Sequence, residues 1–227
     1  YKDYRENSNK VLNKLNEIYY TQVLVDEVTD FSPIQLACML ALSNPKAKSF
    51  FACGDFNQRF TSFGVKSIDQ VKWAIPNILE ENISVTYRHS NQLHRLSKAI
   101  INISGINDIH SYVSGDYSDN EGFAPVIADN IEFGDKLAIW LTNRICEIEK
   151  LTNKLPSIAI LVNDDAEVNQ LTKLLSPIIE EKNIKVVGCL NGEVKGRESA
   201  VRIFSVQHIK GLEFEAVFFV GIDKLEK

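Results

Sequence analysis

Val23-Leu24-Val25-Asp26-Glu27 is an apolar run that stops at two carboxylates. A second run, Phe51-Ala52-Cys53-Gly54-Asp55, stops the same way and continues to Gln58. Buried parallel strands read like this when they carry polar groups at their C-terminal ends. Open α/β sheets bind ligands at that end. An Asp-Glu pair there suits a magnesium nucleotide, with one carboxylate on the metal and the other on an attacking water.

Outward from these strands, the chain alternates. Residues 1–20 space their apolar positions as a helix. Ser32 and Pro33 supply an N-cap and a first helical position, which predicts a helix to about Leu42. Asn44-Pro45 ends it. A strand follows over 48–53, a weaker helix over 67–74 and a short strand over 83–86. Residues 91–103 read as a helix, and 104–124 as a Gly-, Ser-, Asp- and Asn-rich loop or insertion. Residues 133–151 carry Leu137, Trp140, Leu141, Ile145 and Ile148 on one helical face. Strands are expected over 157–162, 185–187, 201–204 and 216–220, with a helix over 164–181. Such alternation predicts an α/β fold with parallel sheets flanked by helices. The division between two α/β units is expected near 76–86.

Composition narrows the function. The 227 residues are 44% hydrophobic, enough for a substantial core. No stretch is apolar for long enough to span a membrane, and no signal-peptide pattern is present. Cys38, Cys53, Cys146 and Cys189 form no CxxC pair and no zinc spacing with the four histidines. They read as reduced, mostly buried thiols of a cytoplasmic protein. A net charge of −5 is wrong for a non-specific nucleic-acid coat, but leaves room for a local groove that grips single strands.

Further positions carry chemistry. Gln58 can orient a water or a phosphate oxygen without adding charge. Tyr87-Arg88 pairs a stacking aromatic with a planar fork suited to phosphate. Gly211, in Lys210–Phe214, permits a close backbone approach, and Glu213 can accept hydrogen bonds from a ribose. Phe63, between Ser62 and Gly64, is the better placed of two phenylalanines to be an exposed stacking platform; Phe60 reads as core. Each feature also has a plain alternative: a solvated turn, a surface Arg, a charged loop.

The set and its order resemble superfamily 1 DNA helicases of the UvrD/Rep type. VLVDEVTD (23–30) resembles helicase motif II, GDFNQRFTSFG (54–64) motif III and ISVTYRHS (83–90) motif IV. Residues 157–162 resemble a strand of the second lobe, and SVQHIKGLEF (205–214) motif V. The resemblance implies two RecA-like lobes, here the C-terminal part of the first (1–82) and most of the second (83–227). It implies ATP and Mg²⁺ as cofactors, and single-stranded DNA and duplex junctions as partners. Asp26 would hold Mg²⁺ and Glu27 would activate water. Gln58 and Arg88 would sense the γ-phosphate, Tyr87 would stack on adenine, and Glu213 with Gly211 would hold the ribose. Phe63 would stack on a DNA base, and Ser205, Gln207 and His208 would lie along the strand. The chain departs from the pattern at Thr29, where the family has Gln, and at Thr86, where it has Asn. It departs again at Gln207, where it has His, and at Gly64, where it often has Arg.

No Gly in the chain is followed by Lys, so the phosphate-binding GxxxxGK[ST] loop is absent from these residues. The motif VI Arg of the family has no counterpart here either. The expectation is a fragment of a compact helicase, inactive alone, whose P-loop half belongs to the same protein. A regulatory or interaction protein keeping the scaffold without the motor is the alternative, and a nuclease-helicase fusion a third reading.

Overall fold

A computed structural model of the chain describes residues 10, 14, 18–47, 49–59, 61–83, 90–104, 122–197 and 199–224. The chain forms two compact units, Tyr1–Pro125 and Val126–Lys227. These compact units divide at Pro125–Val126, whereas the lobes implied by the resemblance divide at 82/83.

The first unit is built on a βαβ crossover. Strand β1 (Gln22–Val25) and strand β2 (Ser49–Ala52) pair in parallel, joined through helix α1 (Pro33–Ala41). Helix α1 starts where its sequence says it should. The Gln35 N–H donates to Ser32 Oγ at 3.3 Å and the Ser32 N–H to Gln35 Oε1 at 2.8 Å, a reciprocal cap ahead of Pro33. Period two then sorts the strands. Val23, Val25, Phe50 and Ala52 turn toward a core made with Leu36, Val65, Val71 and Ile75. Helix α2 (Ile68–Ala74) packs on α1 to close that core. Leu24 and Phe51, partners in register, face the other way and are 67% and 57% exposed. Helix α3 (Asn91–Ser104) is the last helix described in this unit.

The second unit is a four-stranded, all-parallel sheet in the order β4-β5-β3-β6. Its strands are β3 (Ile158–Val162), β4 (Val186–Cys189), β5 (Val201–Ser205) and β6 (Ala216–Phe219). Helices α4 (Asp135–Thr152) and α5 (Asp165–Glu180) cover one face, packing Leu141, Ile145, Leu171 and Leu175 on Ile158, Ile160 and Ile203. The other face buries Ala159, Leu161 and Phe204 under Ile209, Leu212 and Phe214 of the β5–β6 connection. Both faces of β3 are therefore covered, and all five of its residues are buried. That is why it reads as an unbroken apolar run.

The expected strands and helices stand within a few residues of their places wherever the chain is described. The N-terminal helix falls almost wholly outside the described residues, as do the strand over 83–86 and most of the 104–124 loop. All four cysteines are free, but only Cys189 is buried, against the expectation of mostly buried thiols. Among the described residues no helix is long and apolar enough to cross a membrane.

Candidate nucleotide and strand-binding sites

The parallel register Val25↔Ala52 makes Asp26-Glu27 and Cys53-Gly54-Asp55 leave the first sheet side by side. The ladder continues past the strand ends: the Cys53 N–H donates to the Val25 carbonyl at 2.9 Å and the Val28 N–H to the Cys53 carbonyl at 2.8 Å. Gly54 lies under this turn. A Cβ there would stand 2.9 Å from Val28 Cγ1 and 3.0 Å from Val28 N. The two strand ends are thus stitched into one platform.

Asp26 Oδ1 accepts the Glu27 N–H at 2.9 Å and the Cys53 thiol at 3.1 Å. The hydrogen bond to Asp26, then burial, then the carboxylate's charge push the Cys53 thiol above the ordinary range. Glu27 sits in the left-handed region at φ 52° and ψ 53°. A non-glycine residue there carries strain of order 1–3 kcal/mol, and such strain gathers at functional sites. Gln58 is exposed, and its Nε2 donates to Asp55 Oδ2 at 3.0 Å.

Thr29, where the helicase pattern has Gln, is fully buried. Its carbonyl accepts the Thr61 hydroxyl at 3.1 Å and lies over Gly64, where a Cβ would fall 1.8 Å from that oxygen. Only glycine fits this approach. The glycine at 64 is therefore a packing requirement set by the Thr29 backbone carbonyl. Beside it, Phe63 is 60% exposed. Tyr87, Arg88 and Phe60 lie outside the described residues.

In the second unit the chain leaves β3 through α5 on one face and β5 through its connection on the other. Adjacent strands leaving toward opposite faces mark the place where open sheets bind ligands. Ser205 stands there, 1% exposed. Its hydroxyl donates to the Asn163 carbonyl at 3.3 Å and accepts the Gln207 N–H at 3.4 Å. Gln207 is exposed beyond this brace, and His208 is half-buried. His208 Nε2 lies 3.9 Å from Asp165 Oδ2, which also accepts the Asn191 N–H at 3.2 Å. The first turn of α5 is capped by Asp164, while Glu167 Oε2 accepts both the backbone and side-chain N–H of Asn163 at 3.1 Å.

Gly211 has φ +77° with nothing within 4 Å of a built Cβ. It serves a left-handed turn, and the close approach expected of it is not made by any of the described residues. Glu213, two residues on, is exposed. Asp26, Glu27, Gln58 and Phe63 thus belong to one unit, and Ser205, Gln207, His208, Gly211 and Glu213 to the other.

Sequence reasoning passed over Asn163 and Asp165. Their signal was present: Asn163-Asp164-Asp165 follows an apolar strand just as Asp26-Glu27 does. It also read Cys53 only as a thiol and not as a neighbour of Asp26. Among the described residues no group of three or more His, Cys, Asp or Glu side chains gathers as a metal cage. Comparison with protein-family models gives no match, and none is found among curated proteins.

Proposed function

We propose that this chain is part of an ATP-driven helicase or translocase acting on single-stranded DNA, spanning part of one RecA-like lobe and most of a second. The observation that carries the reading is the stitched pair of strand ends in the first unit. Asp26-Glu27 and the Cys53–Gln58 turn, distant in sequence, emerge together from neighbouring parallel strands.

The donor set fits Mg²⁺, a hard cation that keeps several waters and takes one or two carboxylates plus phosphate oxygens. Asp26 would hold it. Bound Mg-ATP supplies the phosphoryl group to be transferred. Glu27, whose backbone is in the left-handed region, would take a proton from the attacking water. Gln58, a neutral amide held on Asp55, orients that water without repelling phosphate. Arg88 and Tyr87 are assigned to the γ-phosphate and the adenine, and Glu213 with Gly211 to the ribose. Phe63 offers an exposed ring on which a base can stack. Gln207 and His208 meet the strand at the sheet end of the second unit, and Ser205 braces their turn from beneath.

Parallel sheets are normally covered on both faces. The exposed Leu24–Phe51 face fits a first lobe whose covering helices, like the P-loop, belong to another part of the same protein.

The scaffold-only reading has one observation in its favour, the lack of GxxxxGK[ST] in these 227 residues. The coding sequence upstream of Tyr1 separates the two. A P-loop within about 200 residues, the span of a domain, supports the motor. A start codon immediately before Tyr1 overturns it in favour of the scaffold.

A further inference from the structure

We propose that Cys53 is a positioning residue for Asp26, a role that rests on the metal-holding assignment of Asp26 above. The geometry makes the case from both sides. The Cys53 backbone is pinned by its N–H on the Val25 carbonyl and by its own carbonyl under the Val28 N–H, so its Cβ direction is fixed by the ladder. From there Sγ reaches Asp26 Oδ1 at 3.1 Å, while the Val25 carbonyl, at 3.9 Å, is a much poorer acceptor. The same Oδ1 accepts the Glu27 N–H at 2.9 Å. One carboxylate oxygen is therefore held by two donors, one from each strand end. Both constrain the side-chain torsion of Asp26.

A thiol suits this place chemically. It is a weak donor, so it fixes direction without drawing much charge from the carboxylate. It is also soft, so it does not compete with carboxylate oxygen for Mg²⁺. Outer groups that orient a metal ligand act on affinity through geometry, typically by about tenfold or more.

The test uses the whole 227-residue chain, labelled with ¹³C and ¹⁵N. Three-bond couplings to the Asp26 carboxyl carbon report its χ1 rotamer directly. In the wild type they should show one rotamer, in Cys53→Ala a rotamer average, and in Cys53→Ser, which restores a donor, a single rotamer again. The amide spectrum elsewhere should be the same in all three. Unchanged Asp26 couplings in Cys53→Ala overturn the proposal, whatever happens to metal binding. A second arm titrates Mn²⁺ and follows paramagnetic broadening at Asp26. Broadening that weakens about tenfold in affinity in Cys53→Ala and recovers in Cys53→Ser extends the positioning role to the metal. No broadening at Asp26 in the wild type sinks the metal assignment alone, because the couplings still decide the positioning.

Discussion

Glu27 is the residue on which strain and chemistry meet. Its φ of 52° is costly for any side chain with a Cβ, and glycine removes that cost. Glu27→Gly should therefore be more stable than Glu27→Ala by about 1 kcal/mol, read as a raised denaturant midpoint, both variants lacking the proposed base. Equal midpoints for the two variants would mean that the conformation is not strained. Gly64 is the opposite case. Its missing Cβ leaves room for the Thr29 carbonyl, a backbone atom that cannot swing aside. Gly64→Ala should cost about 1–3 kcal/mol of stability, the usual range for overpacking. An unchanged unfolding curve would show that the loop relaxes freely. Neither feature was legible in the sequence. Thr29 and Gly64 read only as departures from a motif, because nothing in a linear pattern says that one lies over the other.

At the scale of elements, the sequence was far more readable. Ser32-Pro33 marked the start of α1, and the five-residue apolar run Ile158–Val162 marked the central strand, because capping and two-sided burial leave local traces. What stayed hidden was how elements are tied. Glu215, just before β6, is held to the residue before β3: its Oε2 accepts the Ser157 N–H at 2.8 Å and the Ser157 hydroxyl at 3.2 Å. The Ser157 backbone bond, foremost, holds the Glu215 carboxyl below its ordinary value, with its hydroxyl and the Lys154 charge adding to it against burial. A depressed folded-state pKa gives stability that is present above the unfolded value and lost as pH falls through the folded one. Thermal unfolding should therefore show Glu215→Gln less stable than wild type near neutrality. The gap should close as the pH drops below the carboxylate range. A gap that is constant with pH would assign the effect to shape rather than charge.

At the scale of the molecule, two α/β units each present polar groups at the C-terminal ends of parallel strands. The fold class was legible because alternation of strand and helix periodicities survives in any order of packing. The compact units divide after the segment that carries helix α3, a place that no break in strand and helix alternation marks. The first unit has an exposed apolar sheet face and no P-loop among its residues. The 227-residue chain alone should accordingly show no DNA-stimulated ATP hydrolysis, and a measurable rate from it would contradict the assigned division of labour.

The most direct measurement is ATP hydrolysis by the protein that carries this chain together with its proposed P-loop half, with and without single-stranded DNA, in the wild type and in Glu27→Gln. The expected result is hydrolysis stimulated by DNA and lowered about 100-fold or more by the substitution, as loss of a general base commonly does. A rate indifferent to DNA, or a Glu27→Gln rate equal to wild type, would contradict the reading of Asp26-Glu27 as the hydrolytic pair of a DNA motor.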